Sequence, residues 1–400
     1  MNINKSQALR CIESLRKGIP PEGFIRYFTV GRKAEIGDLI FRLESDNSTA
    51  LLLKANYGSG KTHLLKFTKE EASDRGYAVS YVVIDSNSEV RFNRMDQIFA
   101  AVCRNIEIPY EKGKGVRTFF DFIINKLQKN QKLYRAISSD WTWEFNEMFD
   151  SPAMLIGLRA WKTGIEEIKS LIEDWFYNPW NYYNRRKELY KKLVVDLYKY
   201  FRDTRPEYIF YNEAIFSFNT KGHEQSWAAL RDLNKLAIES GLRGLILLFD
   251  EYEDVISNLR RINYQEAAFW NLFKIYRGKD FSGKAFFAVT PDFYEKCKNL
   301  LISKQRSEFD LNMLKKLPTH EMTPLGPDEL EELALKILEV HGIAYGWEPD
   351  CIMKAKQLSF IVRNAASKPI PDRVRYAITS IVKCLDNLYE DWEENASGAN

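Results

Sequence analysis

The sequence predicts an α/β protein: a parallel sheet around a phosphate-binding loop, interrupted by a large helical insertion and followed by a helical C-terminal unit. Three observations carry this expectation. An apolar run, a glycine-bearing turn and an amphipathic stretch follow one another in "LLLKANYGSGKTHLLKF" at 51–67. Two further apolar runs, "YAVSYVVIDSN" at 77–87 and "LRGLILLFDEYEDVI" at 242–256, are continuous and not alternating, as in strands buried on both faces. Between them, from 91 to about 240, apolar residues recur at the spacing of three and four that marks helices.

In chain order, residues 4–17 read as a helix closed by "KGIPPEG", a loop fixed by two prolines. Gly31 and Arg32 sit on a turn, and Ala34 onward is amphipathic. "STALLLKA" is a buried strand, 55–60 a loop, and Lys61 to about Arg75 a helix; with the strand at 77–87 they make a βαβ unit. "VRTFFDFIINKLQKN" and "YYNRRKELYKKLVVDLYKYFRD" are expected helices of the insertion. The α/β pattern returns with a helix in "NYQEAAFWNLFKIYRG", a strand and turn in "KAFFAVTPDFYEK", and a last short strand in "HEMTPLG". The rest is helical. The expected units are an N-terminal lead (1–45), a core split into 46–90 and 241–325, the insertion (91–240) and a C-terminal helical unit (326–400).

Bulk properties narrow the function classes. A chain of 400 residues with 45% hydrophobic and 28% charged residues is ordinary for a soluble globular protein of two to three units. A net charge of +3 gives no global nucleic-acid signal, so any basic surface is local. The five cysteines lie far apart without C-x-x-C spacing, and the four histidines do not cluster near them. That argues against zinc and against a disulfide framework, and for reduced thiols in the cytoplasm. The N-terminus is polar and helical in period, unlike a signal peptide, and no apolar run is long enough to span a membrane.

The chemistry concentrates in five places. The window Ala55 to Thr62 fits G-x-x-x-x-G-K-[ST] except that alanine stands at the first glycine. A match with either residue there arises by chance in roughly 3 in 100 chains of this length, so the flanking strand and helix carry the assignment. Main-chain amides from Tyr57 through Gly58, Ser59, Gly60 and Lys61 to Thr62 are expected to converge on a phosphate at the helix N-terminus, with Asn56 and His63 flanking them. Lys61 is expected on the β- and γ-phosphates and the Thr62 hydroxyl on Mg²⁺. The alanine is tolerable only if position 55 does not need positive φ.

Second, Asp250 ends an apolar strand, where a carboxylate holds a magnesium shell, and Glu251 is placed to take a proton from water. Acids also favour a helix N-terminus without any catalytic role. Third, Thr290 ends "KAFFAVT"; it suits either a water-orienting group or a cap for the following Pro-Asp turn. Fourth, Arg306, Arg373 and Arg375 are candidate phosphate contacts, in cis or from a neighbouring subunit. In the insertion, the Lys/Arg-rich, Tyr-interleaved stretch 180–202 suits a nucleic-acid backbone with stacking aromatics, or a packed tyrosine stripe under a solvated shell. The aromatic stretch 138–149 reads as core or protomer interface.

The order "IPPEGFIRYFTVGRKAEI", "LLLKANYGSGKTHLLK", "LFDEYE", "AVTPDFYE" and "PLGPDEL" resembles the P-loop ATP-binding proteins of bacterial phage-defence islands, those of BrxD type in BREX systems. The resemblance covers nearly the whole chain and is weakest over about 110–225. It implies an AAA+-like sheet in the order 5-1-4-3-2 with a C-terminal helical lid. It further implies Arg32 and Glu35 near the adenine, Lys61 and Thr62 at the phosphates, Asp250 and Glu251 as the acid pair, Thr290 as a γ-phosphate sensor and Arg373 as a lid arginine. ATP and Mg²⁺ are the implied cofactors; other defence proteins, double-stranded DNA and further copies of the chain are the partners, with no membrane. The function expected is ATP binding and hydrolysis coupled to DNA or partner binding. A nucleotide-gated scaffold or DNA-binding module without turnover, and a small-molecule kinase, are the rival readings.

Overall fold

The computed structural model describes residues 3–47, 49–84, 90–109, 111–138, 148–196, 223–252, 259, 261–303, 316–349 and 355–397. Three short helices lead in: α1 (Lys5–Arg16), α2 (Ile25–Phe28) and α3 (Lys33–Glu44). β1 (Thr49–Lys54), α4 (Lys61–Asp74) and β2 (Ala78–Val83) then form the expected βαβ unit. The insertion begins with α5 (Met95–Asn105), β3 (Ile106–Glu107), α6 (Val116–Lys126) and α7 (Gln131–Ser138). It continues with α8 (Pro152–Trp161), α9 (Glu166–Tyr177), α10 (Arg186–Tyr190) and α11 (His223–Glu239). The core resumes with β4 (Leu245–Asp250), α12 (Ile262–Arg277), β5 (Lys284–Val289), α13 (Phe293–Ser303) and β6 (Thr319–Glu321). α14 (Pro327–Tyr345), α15 (Ala355–Ala366) and α16 (Ile370–Ser397) end the chain.

The sheet has six strands in the order β3-β2-β4-β5-β1-β6. This corrects the expected five-strand order. Two residues after α5, inside a region whose period reads as helix throughout, pair antiparallel with β2 as Val79 opposite Glu107 and Ser80 opposite Ile106. A two-residue strand has no period to read, so the sequence carries no signal for it. The other five strands pair in parallel.

The continuous apolar runs are explained by burial on both faces. Leu51, Leu53, Ile246, Leu248, Phe286 and Ala288 pack with α3 and α4 on one side. Their alternates, among them Leu52, Leu247, Phe249, Phe287 and Val289, pack on the other side into one core with α5, α6, α8, α9 and α11. The described part of the insertion therefore shares its core with the sheet. A separate core joins α1 to α14, α15 and α16, through residues such as Ile12, Leu15, Leu333, Ile337 and Ile381. The first helix of the chain thus packs with its last three.

The expected long helix over the Lys/Arg/Tyr stretch is instead broken. A 3-10 turn at Pro179–Tyr182, the five-residue α10 and a π-helical turn at Lys191–Val195 replace it. Two of its tyrosines are spent on structure: the Tyr182 hydroxyl donates to Asp174 and the Tyr183 hydroxyl to Asp96. Residues 197–202 of that stretch, most of 138–149, and Arg306 lie outside the described residues.

Candidate nucleotide site

The loop between β1 and α4 is built by main-chain torsions. Gly58 has φ 70 and Gly60 has φ 91, both in the left-handed region that glycine adopts without a Cβ penalty. Gly60 is the N-cap of α4. Ala55 is not at positive φ; it lies buried, and its N–H extends the strand by donating to Val289 O at 3.0 Å. The alanine at the first motif position is therefore unstrained. Lys61 is buried, with Nζ donating to Ala55 O at 3.0 Å and standing 4.8 Å from the centre of the Tyr57 ring. The Ser59 hydroxyl is buried and has no hydrogen-bond partner.

Arg32 supports this loop from beneath. Its guanidinium is buried, donating from Nη2 to Ser59 O at 2.6 Å, from Nη1 to Glu35 at 3.0 Å, and to the Thr323 carbonyl. One side chain thus ties the phosphate loop, α3 and the segment entering α14. Nη1 and Nη2 are thus engaged with main chain and Glu35, and Arg32 also lines the cavity described below. His63, on the first turn of α4, is within 2.8 Å of the Thr29 hydroxyl. That hydroxyl already donates to Ile25 O, so the ring Nε2–H is the donor. Burial first, then the neighbouring Arg32 and Lys66 charges, push His63 down to about 4.

The acid pair lies across the sheet, at the same end of a parallel neighbour-but-one strand. Asp250 ends β4 and is buried; its Oδ2 accepts from the Tyr81 hydroxyl at 2.5 Å and its Oδ1 from Glu251 N–H at 3.0 Å. Burial and the adjacent Asp250 charge raise the Tyr81 phenol well above its ordinary value, so it remains a donor. Glu251 has φ 56, the one positive φ among described non-glycine residues. The chain is held on either side of it. Asp250 belongs to the ladder, while Tyr252 donates its N–H to Ala288 O at 3.1 Å and buries its ring against Phe92 and Phe287. Strain of this kind, over-determined by its surroundings, points to function.

A cavity of about 580 Å³ brings these groups together. Tyr57 to Leu64, Arg32, Asp250 and Glu251 line one side, and Ile19, Phe28, Leu333, Val374, Arg375 and Ile378 are among those lining the other. Asn56 and Thr290 are not among the lining residues. The Thr290 hydroxyl donates to Asp292, the turn-capping alternative read from the sequence. Of the two described arginines, Arg375 lines the cavity, whereas Arg373 donates to Leu325 O at 3.3 Å and Lys368 O at 3.4 Å. The two walls touch closely: a Cβ on Gly58 would stand 1.9 Å from Pro371 O, and one on Gly31 2.2 Å from Glu329 Cγ.

The cavity's polar groups fit a magnesium nucleotide. Among the described residues no three His, Cys, Asp or Glu side chains gather as a metal cage. Thr62 and Asp250 instead supply two oxygen donors beside a phosphate-binding turn, the sparse protein ligation that Mg²⁺ takes when phosphates and waters complete its octahedron. Sequence reasoning missed Tyr81. Its signal was a lone phenol in the apolar run "VSYVV", which needs a partner when buried.

The turn at the helix N-terminus and the strand-end carboxylate pair line the same cavity. Residues 3–147, just over a third of the chain, match the family described as BREX system ATP-binding protein BrxC/D. The resemblance to a BREX-type ATP-binding protein is borne out over that segment, which includes the phosphate loop and ends before Asp250. No curated protein and no solved structure matches the chain. Among the described residues no helix is long and apolar enough to cross a membrane.

Proposed function

We propose that the chain binds and hydrolyses ATP as an AAA+-like component of a BREX-type defence system, and that nucleotide state alters its contacts with partner proteins or double-stranded DNA. One observation carries this reading: a single cavity is lined by the phosphate loop, the Asp250–Glu251 pair and Arg375 of the C-terminal helices. The sheet adds support. Although the six-stranded order differs from the one expected, its parallel strands β6-β1-β5-β4-β2 are compatible with an AAA+-like core, for which α14 to α16 would serve as the lid.

In this reading the apolar far wall takes the base. Lys61 leaves the Ala55 carbonyl for the β- and γ-phosphates, and the unpartnered Ser59 hydroxyl gains an acceptor. Thr62 and Asp250 would hold Mg²⁺, which would supply charge neutralisation at the phosphates. Glu251 accepts the proton of the attacking water, and its constrained backbone sets the direction in which the side chain leaves the main chain at the cavity. Arg375 contacts the terminal phosphate from the lid, the role that the resemblance assigned to Arg373. The acid pair favours water over a small-molecule acceptor. Further copies of the chain belong to the same reading, as a source of an arginine in trans.

The test measures ATP binding and phosphate release against protein concentration, with and without duplex DNA. Lys61→Ala is expected to abolish binding. Glu251→Gln is expected to retain it while phosphate release falls on the order of 10²–10⁴-fold. Wild-type binding without release makes the chain a nucleotide-gated scaffold, and undiminished release by Glu251→Gln removes the assigned base.

A further inference from the structure

Tyr81 belongs to neither the loop nor the acid pair, yet its hydroxyl is bonded to the acid. β2 and β4 pair in parallel with Val83 opposite Asp250 and Tyr81 opposite Leu248. The phenol therefore lies two residues back on the neighbouring strand, and its length carries the hydroxyl to Asp250 Oδ2 at 2.5 Å. The other carboxylate oxygen, Oδ1, takes the Glu251 N–H at 3.0 Å. An aspartate carboxylate is otherwise a broad two-fold rotor about its last bond. One donor on each oxygen fixes its plane and leaves each oxygen lone-pair capacity for a further partner.

The geometry points to Tyr81 as a positioning residue for the magnesium site: its hydroxyl holds the Asp250 carboxylate in the orientation that offers its remaining lone pairs to the cation. The inference rests on the magnesium-nucleotide reading above. It assigns to a neighbouring strand the outer-shell support that metal-ligating carboxylates take from hydrogen-bond donors. Packing alone does not account for the contact, because a phenylalanine would fill the same space with no hydroxyl to satisfy.

The test uses the full chain with wild type and Tyr81→Phe, and a non-hydrolysable ATP analogue, adenylyl imidodiphosphate. Its affinity is measured by calorimetry in EDTA and at rising Mg²⁺, alongside the thermal midpoint of each protein. The expected result is an unchanged affinity in EDTA, a half-saturating Mg²⁺ concentration raised about tenfold, and little change in midpoint. An unchanged magnesium requirement in Tyr81→Phe overturns the inference and leaves the nucleotide reading standing. So does an equal loss in EDTA and in Mg²⁺ with a lowered midpoint, which is the mark of a structural role. A wild type that binds no analogue under either condition overturns the nucleotide reading, and this inference with it.

Discussion

On the sheet side of the cavity the chain's shape is set by main-chain torsions: Gly58 and Gly60 at positive φ before α4, and Glu251 at φ 56 beyond β4. On the helical side the wall is side chains, carried by segments as far apart as Arg16 and Tyr345, which bond across 329 positions. The first wall fails at single positions where a side chain cannot go. The second tolerates repacking within its own core but must be docked onto the first. Their seam is narrow, with Gly58 under Pro371 and Gly31 against Glu329, and Arg32 bonded to both Ser59 and Thr323.

The largest expected effect breaks that seam. Gly58→Ala puts a Cβ 1.9 Å from the Pro371 carbonyl oxygen, and main chain cannot turn aside as a flexible side chain can. Overpacking adds 1–3 kcal/mol to a left-handed strain of roughly 1–2 kcal/mol, so denaturant unfolding should show a loss of about 3 kcal/mol. Gly60→Ala is the control: its Cβ meets only Arg32 Nη2, at 3.8 Å, and only the torsional part of the loss is expected. Equal losses in the two variants would mean that Gly58 is a loop glycine and nothing more.

The contrast also explains what was legible. The sheet wall is continuous in sequence, so eight consecutive residues and one strand-end acid pair announce it. Both faces of the strands are buried, so their runs read as strands. The helical wall is assembled from the two ends of the chain, and no local period reveals that α1 belongs with α14 and α16. Register on α16 was equally hidden: Arg373 and Arg375 are two residues apart and so face different ways on a helix, but only packing decides which faces the cavity. Tyr81 was hidden because its partner lies on another strand, 169 positions away.

The next effect separates those two arginines. Arg375→Ala is expected to weaken ATP binding about tenfold, the worth of one charge-assisted contact at about 1.5 kcal/mol, with stability little changed. Arg373→Ala is expected to leave affinity alone and cost about 1 kcal/mol of stability through its carbonyl bonds. Titrations and unfolding curves of both variants decide it, and the reverse pattern would return the phosphate role to Arg373.

A smaller effect is written in pH. His63 is neutral in the fold, its ordinary value of 6.5 pushed down to about 4 by burial and by Arg32 and Lys66. Below 6.5 the unfolded chain takes up a proton that the folded chain refuses. Stability is therefore full above that pH and falls as pH drops toward 4, by about 1 kcal/mol at pH 5.5 from this group. His341, accepting from the Trp347 indole and lowered chiefly by burial, adds a fall of the same sign from the helical core. Unfolding at pH 7.5 and 5.5 should show His63→Gln losing part of the wild-type slope and His341→Gln another part. A slope unchanged in His63→Gln would mean that its ring is not held neutral at the seam.

The smallest effect is a gain. Glu251 is anchored on one side by the β4 ladder and on the other by the Tyr252 N–H on Ala288 O, so a side-chain-bearing residue is kept where glycine is at ease. Glu251→Gly should relieve the torsion and, after the added freedom of the unfolded chain is subtracted, stabilise the protein by roughly 0.5–1 kcal/mol. Glu251→Gln keeps the strain and should leave stability unchanged. Both should lose phosphate release if the carboxylate is the base. If the glycine variant is more stable and inactive while the glutamine variant is only inactive, the sheet wall holds its strain for chemistry. If the glycine variant is no more stable, the torsion costs nothing, and the sheet wall owes its shape to its glycines alone.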